Sequence, residues 1–224
     1  MAFVDINDFF HPCLDIEKAV ANSINIHGKN IVITGPNAGG KSTIMKGLVI
    51  SIIMAQALGI APASSMKFTP FSKIITYMNI TDDIAAGNSH FKAGVMRARD
   101  VLREVGGVKD GQHAIAVVDE IFNGTTFKEG QAAAFSFINE LGQAQRNIVI
   151  TTTHFPMMAN LAQTNDKFLN YKVYVNYDQN GKIIYTYKLE PGVSDQIVTL
   201  KILREEGFAD RFIDNAETVL ESQA

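Results

Sequence analysis

A glycine-rich run between a short apolar strand and a long apolar helix constrains the fold of this chain most. The run reads Gly35-Pro36-Asn37-Ala38-Gly39-Gly40-Lys41-Ser42-Thr43 and fits the pattern G-x-x-x-x-G-K-[ST]. Residues 30–34 before it predict a buried strand, and residues 44–58 after it predict a buried helix. Such a loop turns backbone N–H groups toward one point, and the following helix directs its positive end there. The run therefore predicts a phosphate-binding loop.

Two side chains of this run can act on a bound nucleotide. Lys41 can reach the β- and γ-phosphates, and the Ser42 hydroxyl can bind Mg²⁺. We expect residues 35–43 as a whole to contact the nucleotide.

An acidic pair follows the next strongly apolar run. Ile115-Ala116-Val117-Val118 predicts a buried strand that ends at Asp119 and Glu120. In a parallel sheet this end lies beside the phosphate loop, where ligands bind. Asp119 is therefore predicted to hold Mg²⁺, and Glu120 to orient and deprotonate an attacking water.

A histidine ends another predicted strand. Thr151-Thr152-Thr153-His154 closes the apolar run that starts at Asn147. A histidine at that position can donate a hydrogen bond to a γ-phosphate and so respond to its presence. We therefore include His154 with Glu120 and Lys41 among the predicted catalytic residues.

The alternation of strands and helices predicts an α/β fold with a mostly parallel sheet flanked by helices, as in P-loop NTPases. A strictly alternating pair of strands around an Asn180-Gly181 turn then predicts a C-terminal β-hairpin, followed by two helices. We expect one domain over 1–224, with lead-in strands in 1–30, a core in 31–170, and the hairpin and helices in 171–224. The remaining predicted elements are strands at 72–80 and 147–153, helices at 91–105, 130–141, 195–206 and 210–221, hairpin strands at 171–177 and 182–189, and a polar connection at 82–89.

Composition narrows the possible classes of protein. A net charge of −3 and a pI near 5.9 provide no basic surface for gripping nucleic acid phosphates. The single cysteine, Cys13, excludes an internal disulfide and is consistent with a reducing compartment, so we expect a cytoplasmic protein. The apolar stretch 44–63 contains Lys46 and Gln56, which favours a core helix over a membrane span.

Taken together, four motifs in order resemble the ATPase domain of the MutS family of DNA mismatch-repair proteins, which is related to ABC-type ATPases. Residues 34–42 resemble the family's T-G-P-N-x-x-G-K-[ST], and residues 119–125 resemble its D-E-x-x-x-G-T. Thr152-Thr153-His154 resembles its A-T-H segment, and residues 82–91 resemble its D-D-x-x-x-G-x-S-x-F stretch.

This resemblance implies ATP and Mg²⁺ as cofactors, and a homodimer with composite ATP sites. Ser89 of one subunit would face the γ-phosphate bound by the other, Asn37 would sense the partner, and residues 123–126 would cross the interface. DNA would bind through regions absent from this chain, and other repair proteins are further possible partners.

Some residues depart from the family pattern and indicate a divergent member. Ala38 stands where the family commonly has methionine, and Asn123 where it has a basic residue. Ala19 falls near the position of an aromatic side chain that stacks on the adenine in family members. Tyr187 of the predicted hairpin is a candidate for the other face of the base.

Two alternatives remain open from the residues. One is a dimerisation module that is gated by nucleotide and has little turnover. The other is a different ABC-type engine, such as a transporter or a chromosome-organising ATPase. Those typically carry a Leu-Ser-Gly-Gly signature, whereas this chain has Gly87-Asn88-Ser89-His90-Phe91.

Overall fold

A computed structural model describes residues 1–78, 90–144 and 146–222 of the chain, without the side chain of His90. Strands and helices alternate along most of it. The strands are β1 Phe3–Phe9, β2 Asn22–His27, β3 Asn30–Thr34, β4 Ser65–Phe68, β5 Lys73–Tyr77, β6 Ala114–Asp119, β7 Asn147–Thr152, β8 Phe168–Tyr177 and β9 Ile183–Pro191. The helices are α1 Lys41–Leu58, α2 His90–Gly106, α3 Phe127–Gln143, α4 Pro156–Ala159, α5 Leu161–Thr164, α6 Thr199–Glu205 and α7 Asp210–Glu221.

A small antiparallel sheet forms from the first strands, in the order β2-β1-β4. Alternate side chains of β1 and β2 point inward, as period-2 strands with one buried face require. The inward set is almost fully buried and consists of Val4, Ile6, Ile24 and Ile26.

The larger sheet has the order β5-β6-β7-β3-β8-β9 within the described residues. Every neighbouring pair is parallel except β8 and β9, which are antiparallel. Strands β3 and β7 are buried along their whole length, because helices or the small sheet cover both faces of this sheet. Their carboxyl ends and that of β6 therefore meet at one edge.

Two apolar layers hold the helices against the sheet. On one face α1 lies between the two sheets, and Met45, Leu48 and Ile52 pack with Ile31 and with the inward side chains of β1 and β2. On the other face α2, α3 and α4 cover the intervening side chains, including Val32 and Val118. This placement fixes the start of α1 directly beyond the end of β3.

In length and composition, α1 is apolar enough to cross a membrane, and no other helix in the described ranges passes that test. Core helices of globular proteins pass the same test, and the inner side of α1 is buried between the two sheets. We interpret it as a core helix.

The structure confirms the predicted mostly parallel α/β sheet flanked by helices, the C-terminal hairpin and the two final helices. Other features differ from the prediction, including the starts of α3 at Phe127 and of β8 at Phe168. The lead-in strands form a separate sheet with β4, which was not predicted, and the short helices α4 and α5 follow β7. Helix α6 begins at Thr199 and not at Asp195, because the Gln196 amide is hydrogen bonded to the backbone of Val175 on both its N–H and its carbonyl. The predicted connection at 82–89, including Ser89, lies outside the described residues.

Candidate functional site

The glycine-rich loop, residues 35–43, joins β3 to α1 and needs glycine at two positions. Gly35 has φ +147°, and a Cβ there would lie 2.4 Å from the backbone oxygen of Val173 in β8. Gly40 has φ +91°, and a Cβ there would lie 2.9 Å from the ring of Tyr187 in β9. Both positions combine a left-handed backbone with a close neighbour, so the hairpin β8–β9 fixes the path of the loop.

The start of α1 is open to an anion. Its N-cap residue is Gly40, which has no side chain to cap the first turn, and that turn contains no acidic residue. The first N–H groups of a helix have no partner within the helix, and the helix dipole makes this end positive. The end of β3 and the loop therefore place a long, uncapped helix terminus at the edge of the sheet where the other predicted site residues lie.

Lys41, the first residue of α1, is buried, with 5% of its surface exposed. Its Nζ donates hydrogen bonds to the carbonyl oxygens of Gly35 at 2.9 Å and Pro36 at 3.1 Å. It also lies 3.6 Å from Glu120 Oε1. Burial lowers the pKa of the Lys41 amine, although the carboxylates of Glu120 and Asp119 oppose the shift. The lysine is thus held by its own loop and one carboxylate.

Asp119 at the end of β6 joins the loop to β7. Its Oδ1 accepts hydrogen bonds from Ser42 Oγ at 2.9 Å and from Thr152 Oγ1. Strand β7 lies between β3 and β6, so Thr152 fills the gap between the acidic strand end and the loop. The sequence predicted Ser42 and Asp119 each as a ligand of Mg²⁺, and it gave no sign that Thr152 orients the carboxylate.

Glu120 has an unusual backbone for a non-glycine residue, with φ +47°. Its N–H donates to the Thr152 carbonyl at 3.2 Å, which fixes the turn after β6. Its carboxylate lies between Lys41 and His154, with Oε2 4.0 Å from His154 Nδ1. Strained residues of this kind cluster at functional sites, where the surrounding structure maintains them.

A metal ion at this site would need ligands beyond the protein. In the part of the chain that the structure describes, no group of three or more His, Cys, Asp or Glu residues is placed to hold a metal. Ser42 and Asp119 offer one hydroxyl and one carboxylate, side by side. Mg²⁺ commonly takes one or two such oxygens and completes its shell with phosphates and water. The donor set therefore fits Mg²⁺ bound together with a phosphate.

A pocket of about 540 Å³ opens beside the loop. The loop and Glu120 form its floor, and its walls come from the segment between β1 and β2 and from Tyr187. The wall residues of the first segment include Phe10, His11, Leu14, Lys18 and Val20. Ala19, singled out from the sequence, does not line the pocket, whereas its neighbours do. The pocket has the size typical of small-molecule sites.

His154 and Asn37 lie toward a second pocket, of about 470 Å³, on the other side of the loop. Its lining includes Thr153, Phe155 and residues 193–199. Asn37 lines both pockets, and His154 lines only this one. The structure therefore brings His154 to the acidic pair from the side opposite to the larger pocket. In the turn after Glu120, Asn123 and Thr126 are exposed.

Comparison with known proteins shows which family this chain resembles. The family model described as MutS domain V matches residues 31–223. The DNA mismatch repair protein MSH3 of Vanderwaltozyma polyspora is 28% identical over 98% of this chain and 22% of its own length. The DNA mismatch repair proteins MutS of Leuconostoc mesenteroides and Syntrophomonas wolfei are 28% and 30% identical, over 97% and 85% of this chain. The chain spans 26% and 21% of those two relatives.

Proposed function

Because the chain belongs to the MutS family, matching its domain V, we propose that it binds ATP with Mg²⁺ and hydrolyses it. One observation carries this proposal. Lys41, Ser42, Asp119 and Glu120 come from separate parts of the sequence and meet within hydrogen-bond or ion-pair distance at the uncapped start of α1. That arrangement suits a triphosphate, a magnesium ion and an attacking water.

Phosphate binding falls to the glycine-rich loop and Lys41. A triphosphate in the loop would accept hydrogen bonds from backbone N–H groups, and it would offer Lys41 a stronger partner than the carbonyls of Gly35 and Pro36. The lysine amine would then leave its present partners and pair with the β- and γ-phosphates. The added negative charge would raise the pKa that burial has lowered, and so keep the lysine charged.

Ser42 and Asp119 would hold Mg²⁺ beside those phosphates, with Thr152 orienting the carboxylate. Mg²⁺ neutralises the charge that develops on the phosphate oxygens. Once Lys41 turns to the phosphates, Glu120 is free to accept a proton from a water. His154, 4.0 Å from Glu120, is placed to donate to the γ-phosphate from the other side.

The base would occupy the larger pocket. Tyr187 offers an aromatic face on one wall, and Val20 and Phe10 offer apolar surface on the other. Because the wall near Ala19 lacks the aromatic side chain of other family members, we expect the base to depend mainly on Tyr187.

The proposal also covers dimerisation and DNA binding. The matched relatives are DNA mismatch repair proteins, and this chain spans only about a quarter of their length. We propose that two copies associate through their ATP sites, with Ser89 facing the γ-phosphate held by the other copy. DNA contacts would come from segments beyond this chain.

Two substitutions test the proposal. Lys41→Ala removes the phosphate-binding amine and should weaken ATP binding at least about 100-fold, while Lys109→Ala, at an exposed lysine, should not. Glu120→Gln keeps the shape of the side chain and removes the base, so ATP binding should persist while hydrolysis slows by about 10²–10⁴. Glu140→Gln, at an exposed glutamate of α3, is its control.

The results are measured by calorimetric titration and by phosphate release. Failure of the parent to bind ATP or ADP would refute the whole proposal. Hydrolysis by Glu120→Gln at the rate of the parent would remove Glu120 from the role of base.

A second function, an ATP-gated dimerisation module with little turnover, is favoured by one observation. Lys41 Nζ lies 3.6 Å from Glu120 Oε1, so this ion pair engages the carboxylate that hydrolysis would need as a base. A site of this kind could bind ATP and assemble with slow chemistry. Turnover measured beside sedimentation in ATP separates the two functions.

A further inference from the structure

We infer that Asn22 is a positioning residue that holds Tyr187 in place over the glycine-rich loop, an inference that rests on the proposed function. Asn22 opens β2 and belongs to the small sheet, whereas Tyr187 lies in β9 of the larger sheet. The side-chain amide of Asn22 is hydrogen bonded to the backbone of β9 and so connects the two strands. Neither residue contributes to phosphate chemistry, so the inference concerns recognition of the base.

Asn22 is buried, with 5% of its surface exposed, and its amide is used on both atoms. Oδ1 accepts a hydrogen bond from the Leu189 N–H at 2.7 Å. Nδ2 donates to the Tyr187 carbonyl at 3.0 Å and to the Val20 carbonyl at 3.1 Å. These partners require an amide, because aspartate has no donor for the two carbonyls and a short aliphatic side chain has neither group. The same amide thus binds the backbone of both pocket walls.

The hairpin at this point is irregular. Val173 pairs with Leu189 and Val175 pairs with Tyr185, so Tyr174 alone faces residues 186–188 of β9. Two extra residues therefore bulge from β9, and Tyr187 within them has φ +52°. A left-handed backbone is unfavourable for an aromatic residue and persists only where the surroundings maintain it. The hydrogen bonds of Asn22 hold the middle of this bulge, at Tyr187, and the first paired residue after it, Leu189.

The bulge directs the Tyr187 ring onto the loop. A Cβ placed on Gly40 would lie 2.9 Å from Tyr187 Cδ1, so the ring packs directly against the residue that precedes α1. One face of the ring stacks on Tyr185, with ring centroids 5.8 Å apart and planes 15° from parallel. Tyr187 also lines the pocket and has 41% of its surface exposed, so part of the ring is open to a ligand.

Asn22 therefore sets the spacing of the two walls between which a planar base would lie. Without its amide the backbone of the bulge would lose its hydrogen bonds to β2, although the Lys188 side chain would still donate to the Ala21 carbonyl beside that strand, and the ring would sample other positions. Base–aromatic stacking contributes substantially to nucleotide affinity only when the ring is held in place. Phosphate binding involves the loop and Lys41 and does not require the ring.

A comparison of the affinities for two ligands, ATP and inorganic tripolyphosphate, tests this role. In Asn22→Ala the Kd of ATP should rise about tenfold, whereas the Kd of inorganic tripolyphosphate with Mg²⁺ should stay within about twofold. The control is Asn25→Ala, the same change at an exposed position of the same strand, which should alter neither. A loss of affinity for both ligands alike would show a general structural role and overturn the inference.

A double-mutant cycle tests whether Asn22 acts through Tyr187. Tyr187→Ala alone should weaken ATP binding about tenfold, and adding Asn22→Ala should weaken it by less than about twofold more. Two effects that simply multiply would overturn the inference.

A fluorescence measurement tests the positioning without any nucleotide. The chain contains no tryptophan, so Tyr187→Trp introduces a single reporter at the ring position. Acrylamide should quench this tryptophan more strongly when Asn22→Ala is added than when Asn25→Ala is added. Equal quenching in the two double variants would overturn the inference.

Two further measurements distinguish a failure of this inference from loss of folding and from failure of the proposed function. If circular dichroism shows that Asn22→Ala does not fold, Asn22→Asp takes its place, since it keeps an acceptor for Leu189 and loses only the two donors. A parent that binds neither ATP nor tripolyphosphate refutes the proposed function, while the quenching comparison still decides the role of Asn22.

Discussion

At the scale of single residues, the buried amine of Lys41 is placed to bind an anion. Lys41 is almost fully buried, yet among the described residues its amine has carbonyl oxygens and a carboxylate as its partners. Burying a charged amine is costly, and the observed partners offset that cost only in part, since the pKa remains lowered. A phosphate ligand would remove this deficit, which gives binding a local driving force.

The lowered pKa of Lys41 predicts a dependence of stability on pH. In the unfolded chain the lysine pKa returns to its usual value of 10.5, so the folded state loses its proton first as the pH rises. Between the two pKa values the unfolded state binds more protons, and the free energy of unfolding therefore rises with pH. Below the folded pKa the full penalty of burying the charge is present, and above 10.5 it has gone.

Urea unfolding of the parent and of Lys41→Met across the alkaline range measures this effect. The stability of the parent relative to the variant should increase with pH, because methionine does not titrate. A difference that stays constant or decreases would show that the folded chain does not lower the lysine pKa.

The contact between Ser42 and Asp119 leads to a second prediction, which concerns the Mg²⁺ dependence of ATP binding. The Ser42 hydroxyl donates to Asp119 at 2.9 Å, which places both oxygens where Mg²⁺ would bind. Ser42→Ala should weaken ATP binding about tenfold in the presence of Mg²⁺ and much less in EDTA, because only the metal-bound complex uses the hydroxyl. Ser136→Ala, at an exposed serine of α3, serves as the control. Equal weakening with and without Mg²⁺ would contradict a metal role for Ser42.

At the scale of elements, the glycine-rich loop passes close to strand β8. A Cβ on Gly35 would meet the Val173 carbonyl at 2.4 Å, and the backbone there has φ +147°. Gly35→Ala should therefore lower the free energy of unfolding by about 2–4 kcal/mol. Gly106 lies at the end of α2, and a Cβ there would have no neighbouring atom within 4 Å. Gly106→Ala should therefore be neutral or slightly stabilising.

Thermal and urea unfolding of the two glycine variants measure this difference in the free energy of unfolding. Equal stability of Gly35→Ala and Gly106→Ala would mean that the loop is free to move away from β8, and the fixed path described for it would be wrong.

The predictability of each element from sequence follows from where its stabilisation arises. The buried strands β6 and β7 and the hairpin around Asn180 and Gly181 carry local signals, namely apolar runs and turn residues, and all were predicted. Strand β4 has only four half-exposed or exposed residues, and it exists because it pairs with β1 more than fifty residues away. The start of α6 depends on Gln196 binding β8, which no local pattern contains.

The same distinction holds for the site. Lys41, Ser42, Asp119 and Glu120 follow a motif whose chemistry is local, and the structure brings all four together. The pocket wall from residues 10–20 and the amide of Asn22 could not be predicted, because their roles come from packing between two sheets. Tyr187 was named as a candidate from the family resemblance, and it does line the pocket.

At the scale of the whole molecule, the loop sits where the two sheets and the hairpin converge. Helix α1 packs between the sheets, β8 contacts Gly35, and β9 brings Tyr187 to Gly40. A ligand in the loop would therefore lie beside α1, beside the segment between β1 and β2 of the small sheet, and beside the hairpin. This arrangement would let nucleotide binding alter surfaces beyond the pocket.

Assembly is the prediction at this scale. If two copies associate through their ATP sites, Glu120→Gln with ATP and Mg²⁺ should sediment as a dimer, because the bound triphosphate persists. Lys41→Ala under the same conditions should sediment as it does without nucleotide. Identical sedimentation of Glu120→Gln with and without ATP would contradict assembly through the ATP sites.

A crystal structure of Glu120→Gln with ATP and Mg²⁺ tests the central claim most directly. The account predicts a triphosphate cupped by residues 35–43, Mg²⁺ beside Ser42 and Asp119, and Lys41 moved from the Gly35 and Pro36 carbonyls to the phosphates. A triphosphate bound elsewhere, or a Lys41 still bound to its own loop beside an occupied site, would contradict it.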